Sequence, residues 1–179
     1  MKKNTIHILI MTLLLLSLPL IAMQFTNQAS WGLFDFIIIG ILLFGTGLAY
    51  KLMTRKFEDA AYRIGTGIAI GTSLLLIWAN LAVGIIGSEN NPANFTYIGV
   101  LIIETVGIFI SNFKPERIMN TLFLTAIAQM SVPVIAIIVW KPQITSGVFN
   151  TIGVNMFFVA LWVISALFFK RANIKNINQ

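Results

Sequence analysis

One carboxyl group in the middle of an apolar run is the side chain of this sequence most able to do chemistry. Glu104 lies within Ile98 to Ile110, and Tyr97, Gly107 and Ser111 share its face of a helix. An ionisable group inside a bilayer is expensive and commonly marks an ion or proton pathway. Because desolvation favours the neutral acid, we expect Glu104 to be buried and protonated at neutral pH, and Glu104→Gln to fold almost normally.

A stripe of polar residues on the next helix offers a partner for this carboxyl. Thr121, Thr125 and Gln129 follow one another at four-residue spacing, which places them on one helix face. Gln129 is the partner that we name for Glu104. A purely structural role, in which a neutral Glu104 is hydrogen-bonded to Gln129 or to a hydroxyl, stays open beside the functional one.

A second group of polar residues lies toward the outer side of the membrane, as the predicted topology has it. It contains Asp35, Asn80, Glu89 and Asn155. If these side chains converge, they form an acidic, amide-lined pocket that favours cations or neutral solutes able to hydrogen-bond. The alternative is ordinary structure: Asp35 at a helix N-terminus, where the dipole stabilises a carboxylate, and Asn90, Pro92 and Asn94 as turn residues.

Composition shows which elements must position these groups. Hydrophobic residues make up 58% of the 179 residues and charged residues only 10%, with a mean hydropathy of +0.89. A soluble domain carries about 25% charged residues. The backbone of a membrane-spanning chain must satisfy its own polar groups, in helices or in a closed barrel. Continuous apolar runs, without the alternation of barrel strands, predict an all-α membrane protein.

Six segments are long enough to cross a bilayer, which requires about 20 apolar residues each. With short connections between them, they predict a single transmembrane domain over residues 1–179, a bundle of six helices. The segments are approximately 7–24, 31–50, 64–87, 95–113, 118–140 and 149–169.

The basic residues predict the orientation of this bundle. Eleven of the 12 Lys and Arg residues lie before the first segment, in alternate loops or after the last segment, and Lys141 is the exception. Cytoplasmic loops are rich in Lys and Arg, so both termini are predicted inside. The first segment follows Lys2 and Lys3 like a signal peptide, but its apolar run is longer than most such regions, and we expect it to be retained.

The residue inventory argues against several function classes. The chain has no cysteine, and His7 is its only histidine. Metal and haem sites usually draw on several such ligands, so we expect no metal site and no cofactor. No phosphate loop or nucleophile–base motif is present in the sequence, so we expect no catalytic residues and no enzyme. Membrane topology accounts for the net charge of +6 without a nucleic-acid partner.

One long segment and several short ones carry a family resemblance. The long segment is Trp78 to Asn94, W-A-N-L-A-V-G-I-I-G-S-E-N-N-P-A-N, and the shorter ones include Ala22 to Thr26, Gly47 to Tyr50 and Phe157 to Trp162. Over most of residues 22–172 the chain resembles a family of small, uncharacterised bacterial six-helix integral membrane proteins.

That resemblance implies a fold and a location in the bacterial cytoplasmic (inner) membrane, but no established activity. An aspartate is common in the family where this chain has Asn90. The carboxyl group of the fourth helix is not part of the family pattern, so the resemblance favours the pocket of Asp35, Asn80 and Glu89 over Glu104.

Two functions from different classes fit these observations. The first is permeation or transport of a cation or small polar solute through the polar pocket. The second is a non-transporting accessory or assembly subunit of a membrane complex. The partners expected are the lipid bilayer and, beyond it, a second copy of the chain or another membrane protein.

Reporter fusions test the predicted topology. Fusions after residue 58 and at the C-terminus should report a cytoplasmic location, and a fusion after residue 91 an external one, because of the distribution of basic residues. An external C-terminus would contradict the six-span assignment.

Overall fold

The computed structural model describes residues 2–25, 31–140 and 146–177, and all the regular secondary structure in these residues is helical. Six helices among them are long and apolar enough to cross a membrane. This confirms the prediction of an all-helical chain with six membrane-length segments. In chain order the helices are α1 (Lys2–Phe25), α2 (Leu33–Thr54), α3 (Ala60–Ala82), α4 (Thr96–Ile110), α5 (Pro115–Trp140) and α6 (Ser146–Ile177).

The outer surfaces of these helices are apolar. Ile102, Phe109 and Ile127 are 55%, 63% and 67% exposed, and many other large hydrophobic residues are exposed to a similar degree. Soluble monomers rarely expose large contiguous apolar patches. The arrangement is typical of helices whose outer solvent is lipid.

The chain divides into two compact units, and the first, residues 1–52, is a helical hairpin of α1 and most of α2. Small residues bring its two helices together: a Cβ atom built on Gly47 would lie 2.5 Å from Ile8 Cγ2. Nearer the chain start, Lys51 Nζ donates to Thr5 Oγ1 at 3.0 Å. The hairpin is therefore closed by a glycine contact and a polar contact one helical turn apart.

The second unit, residues 53–179, contains α3 to α6. Helix α6 packs against both α3 and α5, and α4 packs against α5. At the α3–α6 crossing, Ser165 Oγ donates to the carbonyl oxygen of Gly65 at 2.8 Å. At the α4–α5 crossing, Gly107 faces Thr121. Small residues permit these approaches because lipid supplies no hydrophobic drive between helices.

Helix α3 begins and ends earlier than the predicted range of 64–87. Its N-cap is Asp59, whose carboxylate accepts a hydrogen bond from the Tyr62 N–H at 3.0 Å. It ends at Ala82 although the following residues are apolar, because Gly84 and Gly87 have φ of 67° and 73°. These are left-handed conformations that glycine adopts without steric penalty and that a helix cannot contain.

The connection between α4 and α5 is a tight turn. Asn112 and Phe113 have φ of 50° and 62°, and the Ser111 Oγ accepts a hydrogen bond from the Phe113 N–H at 3.1 Å. The buried Tyr62 hydroxyl donates to the Phe113 carbonyl oxygen at 3.1 Å. The turn is thereby fastened to the first turn of α3.

Two glycines of α4 test the close α4–α5 approach. A Cβ atom at Gly107 would overlap the Thr121 side chain, whereas one at Gly99 meets nothing within 4 Å. Gly107→Ala should lower the free energy of unfolding by about 1–3 kcal/mol, as overpacking does. Reversible unfolding in mixed micelles measures it, with Gly99→Ala as the matched control. Equal stability of the two variants would contradict this packing.

Candidate functional site

Three buried polar side chains form a hydrogen-bonded network, here the Asn155 network, between α4, α5 and α6. Gln129 Nε2 donates to Asn155 Oδ1 at 2.9 Å, and Asn155 Nδ2 donates to the Tyr97 hydroxyl at 2.9 Å. The same amide nitrogen donates to the Thr151 carbonyl oxygen at 2.8 Å. All three network residues are at most 1% exposed. The amide of Asn155 is thus occupied in joining three helices.

Two residues of the predicted pocket, Asn80 and Glu89, line one cavity of about 250 Å³, here the α3–α4 cavity. Tyr97 lines it as well, and Ile77 and Leu101 provide apolar wall. Asn155 does not line this cavity but contacts it through the Tyr97 hydroxyl. The structure therefore brings together Asn80 and Glu89 and places Asn155 one side chain behind them.

The side-chain amide of Asn80 is only half used. Its Nδ2 donates to the Leu76 carbonyl oxygen at 2.8 Å, within the same helix. Its Oδ1 is buried and accepts no hydrogen bond from any described residue. A buried acceptor without a partner is unfavourable by about 1–3 kcal/mol. A cation or a hydrogen-bond donor in the cavity would relieve this cost.

The loop that carries Glu89 is ordered by one side chain, that of Asn94. Its Oδ1 accepts from the backbone N–H groups of Ile85 and Ile86 at 3.1 and 2.9 Å. Its Nδ2 donates to the Ser88 carbonyl oxygen at 2.7 Å. Glu89 is exposed beside this fixed backbone and lies at the rim of the cavity. Asn94 also fits a glycosylation pattern with Thr96. However, the residue is only 9% exposed, and its amide nitrogen already donates to the Ser88 carbonyl oxygen.

Asp35, the remaining residue of the predicted pocket, belongs to the first unit. Its Oδ2 accepts a hydrogen bond from the Gly32 N–H at 2.7 Å, one turn before it at the start of α2. This is the reciprocal half of a capping box, in which an acidic residue of the first turn binds the N-cap backbone. Its capping role agrees with the structural alternative, and its place in a pocket stays a prediction.

Glu104 is 5% exposed, and its partners are hydroxyl groups. Its carboxyl group lies beside the side-chain hydroxyls of Ser73 on α3 and Thr105 on α4, and the Ser73 Oγ donates to the Ala69 carbonyl oxygen at 3.1 Å. Gln129, the partner that the sequence suggested, donates to Asn155 instead, and its Oε1 has no partner among the described residues. The carboxyl therefore faces α3 rather than the polar stripe of α5.

A second cavity, of about 550 Å³, lies on the other side of the same loop. Its lining is mainly apolar and comes from the loop, α5 and the first turns of α6, with Gly84, Pro133 and Ala136 among the residues. Thr151 Oγ1 donates to the Ile85 carbonyl oxygen at 3.1 Å and so ties α6 to the loop. The polar side chains of its lining are those of Asn91, Asn150 and Thr151, and none of its lining residues carries a carboxylate.

Sequence reasoning missed the roles of two residues. Tyr97 shares a helix face with Glu104, but only the fold shows that its hydroxyl joins the cavity to Asn155. Asn94 was interpreted as an ordinary turn residue. The glycines on one side of it, at 84 and 87, are a signal that the intervening backbone is irregular and requires side-chain partners.

Among the described residues, no group of three or more His, Cys, Asp or Glu side chains is placed to hold a metal ion. A scan against protein-family models and searches of curated proteins and of solved structures found no match to this chain. The geometry of the α3–α4 cavity is therefore the feature from which a function can be proposed.

Asn155→Ala tests the Asn155 network. It removes the interhelical hydrogen bonds to Tyr97 and Gln129, and should lower the free energy of unfolding by about 0.6–1.7 kcal/mol for each. Asn150→Ala, an exposed amide on the same helix, should change it by less than about 0.5 kcal/mol. Thermal unfolding in detergent followed by circular dichroism compares them. Equal losses would show that the network contributes no stability.

Proposed function

We propose that this chain is a multi-pass protein of a bacterial cytoplasmic membrane that admits a cation, or a small polar solute, to the α3–α4 cavity. The observation that carries the proposal is that Asn80, whose Oδ1 is buried without a partner among the described residues, lines a cavity together with Glu89 and Tyr97. Carboxylate and amide oxygens, which Glu89 and Asn80 supply, are ligands that hard cations prefer.

The size of the cavity fits a small guest. Its 250 Å³ corresponds to about eight waters at ~30 Å³ each. That is enough for a partly hydrated monovalent cation or a solute of a few heavy atoms. Apolar walls from Ile77 and Leu101 lower the local dielectric, and so strengthen the attraction between a cation and the few oxygens present.

Charge distribution supports a cation over an anion. With both termini in the cytoplasm, the loop from Val83 to Phe95 faces the outside, where Lys141 is the only basic residue. Glu89 stands in that loop at the cavity rim. An acidic rim with little positive charge nearby raises the local concentration of cations.

Cation binding by variants of the cavity tests this proposal. In protein reconstituted into liposomes, Glu89→Gln should weaken Na⁺ or K⁺ binding about fivefold or more, because it removes the charge at the rim. Asn80→Leu should weaken it further by removing the free oxygen. Isothermal titration calorimetry measures the affinity, and a Na⁺-sensitive dye measures uptake.

The matched control is Glu116→Gln, which removes an exposed carboxylate at the far end of α4, in the first turn of α5. Its affinity should equal that of the wild type. Urea serves as the neutral-solute probe in a parallel uptake assay. Wild-type protein that neither binds nor passes Na⁺, K⁺ or urea would contradict the proposal and favour the accessory-subunit alternative.

A further inference from the structure

The second unit holds one buried acidic side chain, Glu104. Among the described residues it is the only buried one with a carboxyl, ammonium or guanidinium group, and the hydroxyls of Ser73 and Thr105 are its partners. Ionised and without a counter-ion, it would be strongly unfavourable in an apolar interior. The side chain must therefore hold either a proton or a cation.

Glu104 lies in register with the α3–α4 cavity. Ser73 and Asn80 are seven residues apart on α3, as Tyr97 and Glu104 are on α4. Asn80 and Tyr97 line the cavity together, and Ser73 lies beside Glu104. The two helices are therefore antiparallel here, and the second pair lies about two turns, ~10.5 Å, deeper than the first.

Only side chains separate the two levels. Ile77 and Leu101 line the cavity between them, and Leu101 is three residues, about 4.5 Å of helix rise, from Glu104. The backbones of α3 and α4 are not among the closely packed helix pairs, unlike those of α3 and α6 or α4 and α5. For a cation to pass from the cavity to Glu104, the side chains of Ile77 and Leu101 would have to change rotamer.

No other charge lies at the level of Glu104 in the described part of this unit. The ionisable residues of α3 are Tyr62 and Arg63 in its first turn, and those of α5 are Glu116 and Arg117 in its first turn. On α6 the described ones are Lys170 and Arg171, near its end, and on α4 the other is Tyr97. A cation arriving at Glu104 would meet no competing basic group.

We propose that Glu104 exchanges a proton for a monovalent cation that comes from the α3–α4 cavity. In this step the carboxyl O–H bond breaks, its electron pair stays on the carboxylate, and the proton passes to water in the cavity. The cation then binds between the carboxylate and the Ser73 hydroxyl oxygen. One positive charge replaces another, so the buried site stays neutral. The inference rests on the proposed function and assigns it a cation–proton exchange.

On the polar face of α5, the Gln129 Nε2 donates to Asn155 and the Thr125 hydroxyl donates to the Thr121 carbonyl oxygen, so neither donor is directed to Glu104. The Ser73 hydroxyl donates to the Ala69 carbonyl oxygen at 3.1 Å, so the lone pairs of its oxygen can accept from the carboxylic acid or bind a cation.

Infrared difference spectroscopy on the full chain in lipid nanodiscs tests the exchange. Addition of Na⁺ at constant pH should remove a protonated-carboxyl C=O band, and a pH indicator in weak buffer should record one proton released per cation bound. Glu104→Gln should lack both signals. Ser73→Ala, which keeps the carboxyl, should shift the frequency of the band and weaken Na⁺-induced release, and it provides the test if Glu104→Gln does not fold.

The outcomes separate this inference from the proposed function. Na⁺ binding with an unchanged carboxyl band and no proton release would overturn the inference and leave the cavity function standing. Proton release that persists in Glu104→Gln would also overturn it, since another group would be the source. Absence of Na⁺ binding by the wild type would overturn both. Glu58→Gln, an exposed carboxylate before α3, should leave band and release unchanged.

Discussion

The absence of water around apolar helices is the constraint on which the rest of this protein depends. Each buried polar group must find its partner within the chain. Most hydroxyls do so locally: Thr66, Thr72 and Thr125 donate to the carbonyl oxygen four residues earlier. Only a few bonds cross between helices of the second unit, including those of Ser165 and Asn155, and these fix which helices are neighbours.

Buried polar atoms that lack a hydrogen-bond partner mark the positions where binding of a ligand is physically favoured. In the described residues three buried polar atoms have no partner: Asn80 Oδ1, Gln129 Oε1 and Trp162 Nε1. Two of them are acceptors, and one of these belongs to Asn80, a residue that lines the α3–α4 cavity together with Glu89. Such an atom is unfavourable for folding and favourable for binding a cation, so the same side chain links stability with the proposed function.

The loop after α3 contributes residues to the rim of the α3–α4 cavity and so forms its accessible side. Glycines at 84 and 87 end the helix, and Asn94 replaces helical hydrogen bonds with side-chain bonds to the loop backbone. A rigid loop holds Glu89 at the rim without an ordering cost on binding. The deeper carboxyl of Glu104 depends on the same α3–α4 register, since both levels are seven residues apart on each helix.

The sequence by itself determined that the helices are surrounded by lipid, how many of them are long enough to cross a membrane, and which polar residues are of interest. Long apolar runs and isolated charges are local properties of a sequence. It also indicated that Asn80 and Glu89 belong together. Only the tertiary structure decided that Asn155 bonds to Tyr97 and Gln129, and that Glu104 faces Ser73. Partner choice depends on helix register and rotation, which arise from contacts such as Gly107 with Thr121 between distant parts of the chain.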